Sequence, residues 1–247
     1  MPPKQLRKAA SAKTASDAPK TLRPSGGTKS SSKRRGGSAA VPTAKKSHPA
    51  KAQTVPQTAS GSERARVLSS KTVFEGPLFR VVRDSIVEPT GLKAERDVVR
   101  HNGSVVILAV DKSGKKKDPW IVMERQYRHA ANQFLWEIPA GKIEMGEDPL
   151  AGAQRELAEE TGYQARKWRQ LADYYASPGF VGESMLLYLA EDLYAGEARP
   201  EEDERIELRL VRLSEILKMI EQGAIHDGKT LNAVLLYAWL RGRKRKK

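Results

Sequence analysis

Three glutamates, Glu156, Glu159 and Glu160, occupy positions i, i+3 and i+4 in the stretch GKIEMGEDPLAGAQRELAEETGY, residues 141–163. On a helix this spacing puts all three carboxylates on one face. Like charges so placed weaken an isolated helix, and an acidic run of this kind is ordinarily a solvated face. Here the opposite side of the helix is apolar and a glycine-rich loop precedes it, so a chemical role competes with that ordinary reading. Crowded hard oxygen donors suit Mg²⁺, with Mn²⁺ as the alternative. Arg155, beside them, has the planar fork that holds a carboxylate by two parallel bonds.

The elements that must position these groups follow from local signals. Asp148 is a good N-cap, Pro149 fits the first helical position, and Leu150, Ala153, Leu157 and Ala158 form an apolar stripe. Gly162 suits the left-handed residue that ends such a helix. Before it, Val73–Phe74, Phe79–Val82 and Ile86–Val87 read as short strands broken by Gly76-Pro77 and by Pro89-Thr90-Gly91. Val98–Val99, the continuous apolar run Val105–Val110, Trp120–Met123 and Phe134–Ile138 follow as strands. Beyond the helix, strands are expected at Leu171–Tyr175, Met185–Ala190 and Ile206–Leu213. Two helices close the chain, Ser214–Glu221 with Ser214 as its cap, and Thr230–Leu240. The pattern is α+β, strand-rich in the middle with helices outside.

Composition bounds the rest. The 247 residues include no cysteine, which excludes a disulfide scaffold, a cysteine-ligated zinc and a thiol nucleophile together. No apolar run is long enough to span a membrane, and no apolar core follows the basic N-terminus, so a cytoplasmic protein is expected. The net charge of +14 is unevenly spread. Residues 1–60 carry 13 Lys/Arg against the single acid Asp17, residues 241–247 carry six more basic residues, and the body between them is mildly acidic. Residues 1–62 hold no aromatic and only Leu6, Leu22, Val41 and Val55 as large aliphatics, too little apolar area to offset chain entropy. The expected organisation is a disordered basic tail at 1–62, a strand region at 63–100, a catalytic domain at 101–240 and a basic tail at 241–247. The tails are expected to bind nucleic acid weakly and without sequence preference, or to serve only as solubilising extensions.

The helix and its loop resemble the Nudix box, G-x5-E-x7-R-E-U-x-E-E-x-G-U, at Gly141, Glu147, Arg155, Glu156, Leu157, Glu159, Glu160 and Gly162. The last position departs from it: Tyr163 replaces the usual aliphatic residue and is still large enough to pack. The resemblance extends over about residues 67–240. Trp136-Glu137-Ile138-Pro139-Ala140-Gly141-Lys142 looks like the segment before the box in the ADP-ribose pyrophosphatase branch. Pro178, 16 residues beyond Gly162, stands where that branch has its proline. The Glu-Arg-Gln-Tyr-Arg run ending at Arg128 and the late Asp227-Gly228-Lys229-Thr230 resemble the branch as well.

The resemblance implies a Nudix α/β/α sandwich with a mixed sheet, preceded by a small antiparallel strand region that exchanges between the subunits of a homodimer. It implies Mg²⁺-dependent hydrolysis of the pyrophosphate of ADP-ribose to AMP and ribose 5-phosphate. Glu156, Glu160 and the carbonyl of Ala140 are the implied metal ligands, with Glu204 as an additional one. Glu159 is either a further ligand or a partner that steadies the others. Gly141, Glu147, Arg155 and Gly162 are implied to brace the loop and helix. The general base is implied to come from the acidic loop 196–205, where Glu202 aligns with it; Glu183 is the rival, or a substrate contact. Arg96 and Arg128 resemble phosphate-facing arginines. Lys142, Ser177, Pro178 and Gly179 are the remaining substrate contacts, and Phe74, Phe79 and Trp120 are candidates to stack on adenine. His101, His129 and His226 are scattered and take no role.

Two alternatives stand beside this reading. One is a hydrolase of another nucleoside diphosphate sugar, such as ADP-glucose or GDP-mannose, which the box cannot separate because it reads only metal and pyrophosphate. The other is a non-catalytic nucleotide sensor whose basic tails hold nucleic acid; an intact set of crowded glutamates argues against it.

Overall fold

The computed structural model describes residues 64–113, 117–196 and 206–244. The first three strands, β1 (Arg66–Glu75), β2 (Arg80–Val87) and β3 (Lys93–Arg100), form an antiparallel sheet of their own in the order β1-β2-β3. Val82 and Asp84 are its buried side chains, whereas Val67, Val73, Phe74, Leu78 and Phe79 stand exposed.

The second sheet has seven strands: β4 (Ser104–Asp111), β5 (Trp120–Arg128), β6 (Gln133–Glu137), β7 (Ala140–Lys142), β8 (Tyr163–Tyr175), β9 (Ser184–Ala195) and β10 (Glu207–Arg212). Its main order is β10-β5-β4-β9-β8, with β6 paired to β5 and β7 to β4. β4 and β9 run parallel and the other pairs antiparallel, so the sheet is mixed. β4 and β5 meet only at Val110–Ile121 and Asp111–Trp120, then diverge. The wedge between them is filled by β6, Ile138-Pro139 and β7, and Ile107 N–H donates to the Pro139 carbonyl at 2.8 Å. The start of the box therefore lies in the opening of the sheet.

Helices cover both faces. Helix α1 (Pro149–Thr161) lays Ala153 and Leu157 on Val105, Ile107, Ala109, Val122 and Tyr188. Helices α2 (Leu213–Glu221) and α3 (Gly228–Lys244) cover Val106, Leu108, Ile121, Met123, Leu187 and Leu189 with Ile216, Ala233, Val234 and Tyr237. That double cover explains why Ser104–Val110 is buried at every position rather than alternately. Each fully buried leucine or isoleucine contributes about 1.5–3 kcal/mol.

Several elements depart from the local reading. β8 begins at Tyr163, eight residues before the expected strand, through the polar run Gln-Ala-Arg-Lys-Trp-Arg-Gln. As the sheet's edge it needs no apolar face on its solvent side. Ser214 does not cap α2. Arg212 holds that position, while the Ser214 amide and hydroxyl both donate to Asp118, each at 2.9 Å. Helix α3 starts at Gly228 and runs to Lys244, through the first four residues of the stretch expected as a tail.

Candidate active site

Helix α1 is set in register by its ends. Asp148 accepts from the Leu150 and Ala151 amides at 3.0 Å each, and Gly162 closes the helix at φ +66°, where a side chain would be strained. With the register fixed, Ala153, Leu157 and Glu160 line the face turned to the sheet, and Glu160 is carried into the protein at 5% exposure. Its Oε2 accepts from the Ala140 amide at 3.2 Å. Glu156 approaches the next residue of the same segment, Gly141, closely enough that only a glycine fits there.

Arg155 is the hub on the neighbouring stripe. Its Nε donates to Glu147 Oε1 at 2.9 Å and its Nη2 to Glu147 Oε2 at 3.0 Å. Its Nη1 reaches Glu156 Oε1 and Glu159 Oε2, both at 2.9 Å, and Nη2 also donates to the Lys142 carbonyl at 3.2 Å. Glu147 Oε2 in turn accepts from the Glu144 amide at 2.9 Å, which closes the loop onto the helix. The Glu147 bonds, with burial opposing and the charge of Glu156 and the hydrogen bonds to Glu159 and Glu156 adding, raise the Arg155 pKa above its ordinary value. The same guanidinium and the Glu144 amide hold the Glu147 carboxyl below the usual range. One cation thus holds two of the helix's crowded carboxylates, Glu156 and Glu159, together with Glu147 of the loop.

A second cluster lies beside the first. Arg128, at the end of β5, donates from Nε to Glu137 Oε1 and from Nη2 to Glu137 Oε2, each at 2.9 Å. Lys229 of α3 also bonds Glu137 Oε2 and sits 3.2 Å from Asp227 Oδ1. Burial alone would raise the Glu137 pKa, yet the bonds from Arg128 and the charge of Lys229 bring it below the ordinary range. The Arg128 pKa is raised chiefly by Glu137, against burial, and further by the charges of Glu124 and Glu160. Glu137 stands three residues before Ala140, whose amide donates to Glu160, so one short segment carries both clusters.

The donor set can be tested for a divalent cation. The Glu156 and Glu160 carboxylates meet the Ala140-Gly141 backbone, and all these donors are hard oxygens, as Mg²⁺ prefers. Among the described residues no three carboxylate or imidazole side chains converge on one point. Two carboxylates, a carbonyl, water and phosphate oxygens match the way Mg²⁺ is commonly held. The residues fit the ion.

The other expected residues are placed as follows. Ser177, Pro178 and Gly179 form the turn between β8 and β9, where the Phe180 and Val181 amides donate to the Ser177 carbonyl. Glu183, just beyond, accepts from the Ser104 hydroxyl at 2.6 Å, and His101 Nδ1 lies 3.9 Å from the same oxygen. Arg96 is engaged on the N-terminal sheet by Glu88 and the Glu95 carbonyl. Phe74 and Phe79 pack on each other there, with ring centroids 5.6 Å apart. Trp120 is not brought to the site: it lies at the far end of β5 from Arg128, about 26 Å away along a strand, under the Arg212 guanidinium at 3.7 Å. Glu202 and Glu204 fall outside the described residues.

The structure joins Glu137, Lys229, Asp227 and Thr230, which the sequence marks only by likeness, to Arg128. Their one local signal is an acid inside an apolar strand, as in Leu-Trp-Glu-Ile for Glu137 and Val-Met-Glu for Glu124; both are fully buried.

The family model of the NUDIX domain matches residues 100–234, more than half of the chain. The chain belongs to the Nudix family. The ADP-ribose pyrophosphatase of Bacillus subtilis strain 168 is 37% identical over 171 residues, 68% of this chain and 90% of that protein. The methanol dehydrogenase activator of Bacillus methanolicus is 38% identical over 171 residues, with the same shares. The crystal structure of an ADP compounds hydrolase superposes with a TM-score of 0.63 at 21% identity, over 76% of this chain and all of that one, a likeness of fold. The Nudix fold accounts for the mixed sheet between helices, and the Nudix box is the loop and helix α1 described above.

Proposed function

We propose that this Nudix protein is a homodimeric, cytoplasmic, Mg²⁺-dependent pyrophosphohydrolase that converts ADP-ribose to AMP and ribose 5-phosphate. The observation that carries the reading is the meeting of Glu156 and Glu160 with the Ala140-Gly141 backbone, in a segment whose Glu137 also holds Arg128. Glu156, Glu160 and the Ala140 carbonyl would hold the metal, with Glu204 as a further ligand and Glu159 either joining them or steadying Glu156 through Arg155. When bound, a divalent ion neutralises phosphate oxygens and acidifies the attacking water.

The chain's own residues supply the rest. Arg155 and Glu147 keep the loop fastened to α1, so the carboxylates hold their places as charge moves. Arg128 offers a charged donor to the pyrophosphate, for which a guanidinium fork is suited. Lys142 and the Ser177-Pro178-Gly179 turn border the space for the sugar. Glu202 takes the proton of the attacking water while the new P–O bond forms and the bridging P–O bond breaks. Glu183, held by Ser104, is a substrate contact in this reading rather than the base. The exposed Val67, Val73, Phe74 and Phe79 support pairing of the N-terminal sheets.

A panel of ADP-ribose, ADP-glucose and GDP-mannose with Mg²⁺ tests the reading, with phosphate measured after phosphatase treatment. The highest kcat/KM is expected for ADP-ribose. A higher value for another sugar nucleotide would replace the substrate, and no turnover of any would overturn the enzyme reading.

A further inference from the structure

The Asp227-Gly228-Lys229-Thr230 turn is used by nothing in the mechanism above, yet it reaches the site by two routes. Lys229 bonds Glu137 Oε2, and Thr230 Oγ1 accepts from the Ile138 amide at 3.0 Å while donating to Asp227 Oδ2 at 2.6 Å. The Thr230 amide also donates to Asp227 Oδ2, at 3.0 Å. Residues from the first turn of α3 therefore grip two consecutive residues of the wedge strand, three and two positions before Ala140.

We infer that Lys229 is a positioning residue that acts through Glu137 to fix the direction in which Arg128 presents its guanidinium to the substrate pyrophosphate. The inference rests on the proposed hydrolase reading. Geometry takes Lys229 out of direct contact with a substrate: its side chain is 10% exposed and two carboxylates, Glu137 and Asp227, already occupy its ammonium group. Glu137 is 1% exposed and spends both oxygens on Arg128. A carboxylate bonded only to a half-exposed arginine can swing with it; one that is also held from a second element cannot. With Nε–H and one Nη2–H committed to Glu137, the edge of Arg128 left for phosphate is the Nη1 pair with the second Nη2–H, and where that edge points is decided by the plane of the Glu137 carboxylate. The Thr230–Ile138 bond ties the same elements without touching Glu137 or Arg128, and the Thr230 amide still holds Asp227 when the hydroxyl is removed, so it provides the control for mere attachment of α3.

The test uses the full chain and two readouts. In steady-state kinetics with ADP-ribose and saturating Mg²⁺, Lys229→Met is expected to raise KM at least about tenfold, the size of one charged hydrogen bond, with kcat changed less than KM. In an Arg128→Ala background the same substitution is expected to add no more than about twofold, because residues in one network are not additive. Lys229→Arg is expected to recover part of the KM, and Thr230→Val to lower the melting temperature without the KM effect. In the second readout, ¹⁵N–¹H spectra of the protein without substrate or metal follow the Arg128 Nε–H cross-peak, which is expected to move or broaden in Lys229→Met and to stay in place in Thr230→Val. Lys229→Gln replaces Lys229→Met in both arms if the latter does not fold. An undiminished Lys229 effect in the Arg128→Ala background, or an unmoved cross-peak in folded Lys229→Met, overturns the inference. The spectroscopic arm needs no turnover, so it decides the linkage even if the panel of sugar nucleotides overturns the hydrolase reading.

Discussion

The carboxylate of Glu156 lies directly over Gly141: a Cβ built on that glycine would stand 1.9 Å from Glu156 Cδ and 2.0 Å from Oε1. No rotation of a methyl group relieves such an overlap, so an alanine must push Glu156 away or shift the wedge strand. Gly141→Ala is expected to lower turnover about 10²-fold, the scale of a 1 Å misplacement of a working group, while the protein stays folded. Circular dichroism and kcat/KM for ADP-ribose check both halves. Turnover within threefold of wild type would show that Glu156 need not be where it is.

Glu160 is the most deeply buried carboxylate of the three, and its partner is a backbone amide rather than Arg155. Glu160→Gln keeps the shape and removes the charge, which also relieves repulsion on α1. The fold should persist and turnover at saturating Mg²⁺ should fall by more than about tenfold, a barrier change above ~1.4 kcal/mol. A smaller loss would remove Glu160 from the metal ligands.

The two candidate bases separate by kinetics. Glu202→Gln is expected to lower kcat by about 10²–10⁴-fold with KM little changed, since help from a base is felt only in the transition state. Glu183→Gln should act mainly on KM, because the Ser104 hydroxyl already occupies one of its oxygens. If Glu183→Gln instead carries the kcat loss and Glu202→Gln is nearly silent, the assignments are exchanged.

Glu137 makes stability depend on acid. Its folded pKa lies below the ordinary carboxylate range, so its contribution is complete above the unfolded value of about 4.3 and is lost as pH falls through the lowered folded value. Urea midpoints of the wild type should therefore drop steeply between about pH 5 and pH 3. In Glu137→Gln the midpoint should start lower at pH 7 and fall less over the same interval. Parallel curves for the two proteins would contradict the assignment.

The basic ends are tested by removal. A 64–244 protein is the right comparison, because α3 continues to Lys244 and Arg241 and Arg243 are part of it, set against Tyr237 and Trp239. The full chain is expected to bind DNA with an affinity that falls sharply between ~50 and ~200 mM salt, and the shortened protein to bind far more weakly with ADP-ribose turnover intact. Equal DNA affinity would dismiss the ends as the binding segment.

What could be read beforehand divides by range. Helix α1 was legible to its ends because Asp148, Pro149 and Gly162 act within one turn of themselves. Glu156, Glu159 and Glu160 were legible because one helix carries all three. Ser214 misled because its partner Asp118 is 96 residues away, and a capping serine looks the same whether or not a distant acid claims it. The pairing of Glu137 with Lys229, across 92 residues, left only the trace of a charge in an apolar strand. The first half of β8 was missed because an edge strand tolerates Arg, Lys and Gln on its open side. Trp120 could be counted as aromatic but not located along β5.

Among the described residues, one isolated parallel bridge joins the two sheets. Val99 of β3 donates to the Phe180 carbonyl at 2.8 Å and accepts from the Gly182 amide at 2.9 Å, in a parallel bridge to Val181. The seam therefore runs through the residues immediately after Ser177-Pro178-Gly179. Whatever rearranges that turn pulls on the N-terminal sheet without passing through the hydrophobic interior. The Val99 and Gly182 amides should accordingly lose or gain protection from deuterium together, as one latch, rather than Val99 following the rest of β3.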